Sequence, residues 1–527
     1  MLVPKGLMNA SRNFKGKTAI IDGKHTYTYE QFAGRTAKVK RSLAKLGVKK
    51  GDRAALLMLN SFRYLELMYG IPAYGAIMVP LNVRLTPKEI AFVLNDADVR
   101  VLYIHKEFLP YLPELRQLAP NLQHIIFAED EGEALAVGNE SVLFYEELLA
   151  AQPDEPLTAD GIDEDDVAGL FYTGGTTGRS KGVMLTHKNL VSNAYHCALM
   201  MQYTEEDIYL HAAPMFHLAD GASTFAVTLV GGAHAHLRAF SPKGVLQVYE
   251  EVKPTCGLLV PTMINMVLND PDFAQYDVSS VRRIMYGGSP MPVEVLKKGV
   301  KMLPGVQFFQ AYGMTEASPI LTVLTGKNHM VGGTAEEERR LASGGQAVPG
   351  VEMKVVDPEG SELPVGEVGE IIARGPNIMK GYWNLPEETA RAIRDGWYYT
   401  GDMAYADENS FYYVVDRAKD MIITGGENVY SVEVENVLYQ HPAVLECAVI
   451  GVPDETWGEA VKAVIVAKQD SGATEEEIIA FARQQLAGYK VPKTIEFVAE
   501  IPKSGAGKIL KRELRDRFWA GKTRNVQ

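Results

Sequence analysis

Between Leu170 and Gly182 an apolar run, Leu170-Phe-Tyr, opens into a loop crowded with glycines and hydroxyl side chains. Thr173, Gly174, Gly175, Thr176, Thr177, Gly178 and Ser180 lead to Lys181 and Gly182. Glycines let backbone N–H groups approach an anion, threonine hydroxyls add donors, and the lysine adds a point charge. That combination is phosphate-binding chemistry. It is not a Walker A loop, because Gly182 follows Lys181 where Ser or Thr is required, and the glycine spacing differs. A Gly/Thr loop alone is commonly a plain surface turn; the strand before it and the lysine within it favour phosphate.

The loop is similar to the phosphate loop of the acyl-adenylate-forming superfamily, which includes acyl-CoA synthetases, firefly luciferases and peptide-synthetase adenylation domains. The family's other motifs follow in order: Tyr312-Gly-Met-Thr-Glu316, Tyr399-Thr-Gly-Asp402, Asp416-Arg-Ala-Lys-Asp-Met-Ile-Ile-Thr-Gly-Gly-Glu-Asn428 and Pro502-Lys-Ser-Gly-Ala-Gly-Lys508. The resemblance spans essentially the whole chain. It implies that Thr315 contacts the α-phosphate, that Glu316 is the Mg²⁺ carboxylate, and that Asp402 accepts the ribose hydroxyls with Arg417 as a second ribose contact. It also makes Lys419 the hinge, Gly425 and Gly426 the lining of a pantetheine tunnel, and His217 a gate between acyl pocket and tunnel. Gly174 stands where many members carry Ser, and Ala311 where many carry Gly beside the acyl pocket, with Gly313 close by.

Several of these residues also have a reading of their own. Tyr312 ends an apolar strand, so its ring is placed to stack on adenine. Gly287-Gly288-Ser289 at a strand end offers close backbone approach to a nucleotide; without a glycine two residues after Ser289 the nucleophile-elbow pattern fails. Lys508 tips a glycine-rich loop and precedes the basic run Lys511, Arg512, Arg515 and Arg517, which reads as a solvated face. When a carboxylate attacks the α-phosphorus of ATP, charge builds on the phosphoryl oxygens. A cation delivered with the transition state is the natural catalyst.

The elements that must position these groups alternate between helix and strand patterns. Thr28 and Gln31 form a capping box opening a helix closed by Gly47. Strands are expected at Arg53–Leu59, 77–80 and 99–104, with a helix over 64–74 between the first two. The pattern resumes with strands at 167–173, 256–260, 283–286 and 306–310, each leading through a Gly-, Pro- or Thr-rich turn toward a helix. This is an α/β fold with a largely parallel sheet, whose ligands bind beyond the carboxyl ends of strands. Residues 128–140 read as an acidic, solvated loop. From about 345 to 416 short strands point to a β-rich subdomain, and a compact α+β unit follows. The expected division is a large domain, 1–416, and a small mobile domain, 417–527, hinged near Lys419.

With 527 residues the chain exceeds a single core, and its 46% hydrophobic and 23% charged content is that of a soluble globular protein. A net charge of −13 argues against nucleic-acid binding. Cys197, Cys256 and Cys447 show no disulfide or metal-ligand spacing; Cys197, beside His196, reads as buried packing and not as a nucleophile. No apolar run is long enough to span a membrane and no signal peptide is seen, so the expected location is cytoplasmic. A homodimer is left open.

The function implied is an acid–thiol ligase: a carboxylic acid and ATP give acyl-AMP and pyrophosphate, and coenzyme A then displaces AMP. Phe216, Leu218, Ala219, Met314 and Pro319 are expected around the acid. They favour medium- or long-chain fatty acids, with aryl or hydroxycinnamic acids as the alternative; Asp220 keeps amino acids open. An acyl-AMP ligase loading a carrier protein is a further alternative, although such relatives usually carry extra sequence before the small domain and none is seen. A non-catalytic nucleotide binder is disfavoured by the presence of Glu316, Asp402 and Lys508 together.

Overall fold

The computed structural model describes residues 1–130, 142–173, 180–417, 419–468, 471–504 and 507–519, apart from the side chain of residue 222. Two large sheets form its body. The first has eight strands, in the order Gly381–Tyr382, Lys181–Thr186, Val167–Thr173, Ile77–Pro80, Arg53–Leu57, Val99–Ile104, His124–Phe127 and Leu143–Phe144. Its strands run parallel from Val167–Thr173 onward, and antiparallel on the other side. The second has nine strands with a parallel centre: Ala233–His236, Ile208–His211, Cys256–Leu258, Arg283–Gly287 and Gln307–Gly313.

Helix Phe62–Tyr74 is buried along its whole length and joins a core fed by both sheets, including Leu56 and Met78 from one and Tyr209 and Ala235 from the other. A helix buried on every side belongs between layers, not on a surface, and its two charges are paired, Arg63 with Asp130 and Glu66 with Arg35. Helix Tyr29–Lys45 starts on the expected capping box: Thr28 accepts from Gln31 N, and Gln31 returns the bond to Thr28 N. Helix His187–Met201 buries Cys197, whose thiol burial pushes up to about 12. All three cysteines are free and buried.

Three expectations need correction. The basic run is not simply a solvated face: Lys511 pairs with Glu435 at 2.7 Å and Arg515 with Asp420 at 2.8 Å, all four largely buried. Strand Val167–Thr173 turns back into antiparallel strand Lys181–Thr186, with Thr173 opposite Lys181, before the helix starts at His187. The apolar alternation of Val183 and Leu185, both buried, drives that second strand onto the sheet. Residues 131–141 lie outside the described residues, but Glu129 and Asp130 just before them are not merely solvated. Arg238 binds Glu129, and Arg63 reaches Asp130 at 2.6 Å.

The β-rich part holds Glu352–Val356, Gly369–Arg374, Trp397–Ala406, Ile393–Arg394 and Tyr412–Arg417 in one sheet. The C-terminal unit is a sheet of Glu427–Val429, Ile422–Thr424, Gly458–Ala467, Val444–Asp454 and Thr494–Phe497. One of its cores gathers Ile422, Val434, Cys447, Val461 and Ile478; the other gathers Ala448, Ile450, Val464, Ile501 and Leu514. Among the described residues no helix is long and apolar enough to cross a membrane.

Candidate active site

Asp402 and Arg417 face each other across the antiparallel pair Trp397–Ala406 and Tyr412–Arg417. Arg417 Nε lies 3.2 Å from Asp402 Oδ1, and the hydroxyl of Tyr312 donates to Asp402 Oδ2 at 2.9 Å. Asp402 is only 5% exposed, so its carboxylate is fixed by these two partners from different strands. Burial, and then the neighbouring Asp402 carboxylate, push the Tyr312 phenol well above its ordinary value, so it stays a neutral donor.

Tyr312 lies near the end of strand Gln307–Gly313, and Thr315-Glu316-Ala317 form a short 3-10 turn beyond it. That turn is held from outside. Asn377, fully buried, donates from Nδ2 to the carbonyls of Ala317 (2.8 Å) and Ile320 (2.7 Å), and Met379 N donates to the Glu316 carbonyl at 2.8 Å. The Glu316 carboxylate accepts from Tyr382 Oη at 2.9 Å. Neither Asn377 nor Tyr382 is singled out by sequence reasoning; their signal is the polar-and-glycine texture of 375–382 beside a strand.

Gly287 ends strand Arg283–Gly287 opposite Ala311. A Cβ there would meet the Ala311 carbonyl at 2.2 Å. Its glycine is therefore demanded by the neighbouring strand. Gly313 is equally confined, since a Cβ would lie 1.9 Å from the Pro319 carbonyl. Gly288 has φ +78° and a different neighbour: a Cβ there would sit 3.2 Å from Lys508 Cε and 3.8 Å from its Nζ. Ser289 follows, half-buried.

Lys508 therefore reaches from the C-terminal unit onto the strand end at Gly288. Burial, then the nearby Arg417 charge, lowers its ammonium from 10.5 to about 8, while Asp402 and Glu316 act in the opposite direction. His217, before helix Leu218–Val230, feels Lys508 and Arg84; burial and those cations pull it down to about 3, so its imidazole is neutral. Its Nε2 is buried and has no hydrogen-bond partner among the described residues.

Lys181 Nζ is 2.6 Å from Glu388 and 5.1 Å from the Tyr382 ring. Thr173 lies across the hairpin from it, and Gly174, Gly175, Thr176, Thr177 and Gly178 lie outside the described residues. Gly425 and Gly426 form the two-residue turn of hairpin Ile422–Thr424 and Glu427–Val429, with φ of +60° and +86°. Positive φ at both central positions strongly favours glycine. Gly425 also packs so closely on Trp457 that a Cβ would meet its ring at 2.8 Å. Lys419 lies in the turn after Arg417, where Arg515 donates to its carbonyl at 3.3 Å. Asp220 is fully buried with His211 Nδ1 at 2.6 Å and the Tyr209 hydroxyl at 3.2 Å, so it faces these groups instead of a substrate ammonium.

The structure thus gathers a buried carboxylate paired with an arginine, a second carboxylate on a polar turn, and a lysine brought in from the C-terminal unit. The family model described as AMP-binding enzyme matches residues 7–383, and the one described as AMP-binding enzyme C-terminal domain matches residues 433–508. The chain belongs to the AMP-binding enzyme family. Among curated relatives, a feruloyl-CoA synthase of an Amycolatopsis species is 40% identical, covering 95% of this chain and 96% of that protein. A long-chain-fatty-acid–CoA ligase of Bacillus subtilis is 36% identical, covering 96% and 93% respectively. The crystal structure of the anthranilate CoA ligase AuaEII in complex with anthranoyl-AMP is 30% identical, superposes with a TM-score of 0.89, and covers 98% of this chain and 97% of that one. This AMP-binding enzyme thus shares its mixed α/β architecture, a large N-terminal part and a smaller C-terminal part, with solved adenylate-forming structures.

Proposed function

We propose that the chain is an ATP-dependent acid–thiol ligase that forms an acyl-adenylate and then a coenzyme A thioester. The observation that carries the reading is Lys508 held over Gly288 among Arg417, Asp402 and Glu316. In the first step the acid's carboxylate attacks the α-phosphorus, the bond to the bridging oxygen breaks, and pyrophosphate leaves. The Lys508 ammonium meets charge growing on the α-phosphoryl oxygens, in a site partly shielded from water. Asp402 orients the ribose through its hydroxyls, with Arg417 beside it, and Tyr312 offers its ring to adenine. Thr315, Gly288, Ser289, Thr173 and Lys181 supply further donors along the phosphates.

Glu316 suits Mg²⁺: a single hard carboxylate oxygen, shared with substrate phosphates, is a usual magnesium donor set. The ion would neutralise phosphate charge; Tyr382 holds the other side of that carboxylate in place. In the second step the C-terminal unit turns about Lys419 to present Gly425 and Gly426, and His217 opens the way from thiol to acyl group. We place the boundary of the two domains at about residue 416.

The acid is apolar, recognised by Phe216, Leu218, Ala219, Met314 and Pro319 with Ala311 and Gly287 at the pocket wall. We put the hydroxycinnamic class first, supported by the relative at 40% identity, and fatty acids second, supported by the relative at 36%. The inward pairing of Asp220 removes the group that favoured amino acids. Labelled pyrophosphate exchange into ATP tests adenylation, and AMP release across a panel of aryl and fatty acids, with and without coenzyme A, tests acid and acceptor. No exchange with any acid sinks the first step. Exchange without a coenzyme A-dependent thioester, but with loading of a carrier protein, replaces the acceptor.

A further inference from the structure

The described residues on either side of 505–506 are tied to one another. Ser504 N donates to Lys508 O at 2.7 Å, Gly507 N to Ser504 O at 2.8 Å, and Lys508 N to Ser504 Oγ at 3.2 Å. None of these bonds says where the loop sits relative to the large part of the chain. Two other hydrogen bonds do. Arg84, in the segment after strand Ile77–Pro80, donates from Nη1 to the Ser504 carbonyl at 3.0 Å. Thr262, in the first turn of helix Pro261–Leu268, donates from Oγ1 to the Gly507 carbonyl at 3.2 Å. The two donors come from different sheets' connections and grip the two carbonyls that bracket the loop.

The fit at Thr262 is close enough to restrict the sequence of the loop itself. Gly507 has φ +78°, and a Cβ there would lie 3.1 Å from Thr262 Oγ1 and 3.2 Å from Val260 Cγ2. Glycine at 507 is thus strongly favoured by its left-handed backbone, and a Cβ would also press on the surface it docks on. Arg84 is exposed, its charge is felt at His217, and its guanidinium donates to the Ser504 carbonyl.

We infer that Arg84 and Thr262 are a latch specific to the first half-reaction, fixing the carbonyls of Ser504 and Gly507 so that Lys508 lies over Gly288. They are positioning residues, acting through Lys508, and the inference rests on the role proposed for that lysine. When the C-terminal unit turns for thioester formation both bonds break, so the latch contributes nothing to that step.

The test measures both half-reactions in Arg84→Ala, Arg84→Lys, Thr262→Val and the Arg84→Ala/Thr262→Val double variant, each also in a Lys508→Ala background. Pyrophosphate exchange should fall about tenfold in Arg84→Ala, the scale of one charge-assisted hydrogen bond, and about threefold in Thr262→Val. Arg84→Lys should recover part of the loss. Thioester formation from preformed acyl-adenylate should stay within about twofold of the parent, and in the Lys508→Ala background neither substitution should lower exchange further. Equal losses in both half-reactions, equal losses with and without Lys508, or no loss at all would overturn the latch. If Lys508→Ala itself leaves exchange intact, the proposed chemistry has failed and the latch goes with it. If Lys508→Ala abolishes exchange while Arg84→Ala and Thr262→Val do not alter it, the latch alone is refuted.

Discussion

On the role proposed for Lys508, raising the pH should remove the charge on which adenylation depends. Burial, with Arg417 beside it, brings its pKa from 10.5 to about 8. The ammonium is the active form, so its charge is present below pH 8 and is lost as the pH climbs through that value. At pH 7.5 such a group is protonated in about three molecules of four, and at pH 9 in about one of eleven. An unperturbed lysine would still be protonated in about 97% of molecules at pH 9. The kcat/KM for ATP in pyrophosphate exchange reports the free enzyme. It should fall about eightfold between pH 7.5 and pH 9. The limb in kcat should lie at higher pH, because bound triphosphate favours the charged amine. Conversion of preformed acyl-adenylate to thioester should show no such fall. The assay is exchange at subsaturating ATP in overlapping buffers of constant ionic strength. A flat kcat/KM profile to pH 10 refutes the argument, as does the same limb persisting in the residual activity of Lys508→Ala.

Lys508→Ala should slow exchange by about 10²–10³-fold, the scale of one lost transition-state donor, with the thioester step from preformed acyl-adenylate retained; comparable loss in both steps would contradict its role. Gly426→Leu should do the reverse: a Cβ there meets nothing within 4 Å in the present arrangement, and although φ of +86° strains the turn, the side chain would enter the tunnel proposed for the second step; unchanged thioester formation in a variant with an unshifted urea midpoint removes Gly426 from that tunnel. Gly287→Ala places a Cβ 2.2 Å from the Ala311 carbonyl. It should destabilise the protein by about 1–3 kcal/mol, the usual range for overpacking, read as a lower midpoint in urea; an unshifted midpoint shows that the two strands can part more easily than their register indicates.

Local chemistry was readable wherever it is encoded by neighbours in the chain. Strands Ile77–Pro80, Val99–Ile104 and Val167–Thr173 begin and end where apolar pattern and turn residues put them, and Thr28 caps its helix as its spacing with Gln31 dictates. Period and capping are short-range properties, so a window of residues contains them. What closes the site is different in kind. Tyr382 and Glu316 are 66 residues apart, Lys181 and Glu388 are 207 apart, and Arg84 and Ser504 are 420 apart. No periodicity records such pairs. Gly287 is instructive: its sequence context reads as room for a nucleotide, yet the atom that forbids a side chain is a carbonyl of the adjacent strand. Gly425 and Gly426 likewise read as channel lining, while the hairpin turn they build already demands them.

Both faces of the C-terminal sheet are covered by side chains from residue 422 onward: Val434 and Ile478 on one face, Ile501 and Leu514 on the other. A body sealed in this way carries its own oil with it. On the proposed turn about Lys419, neither of these cores would be exposed, so the swing would need no partial unfolding of the unit. Mutations within those two clusters should therefore melt the unit, whereas mutations at its contact with the large part retune how long it lingers in each pose. Evolution can adjust the timing of the two chemical steps without touching the fold that performs them.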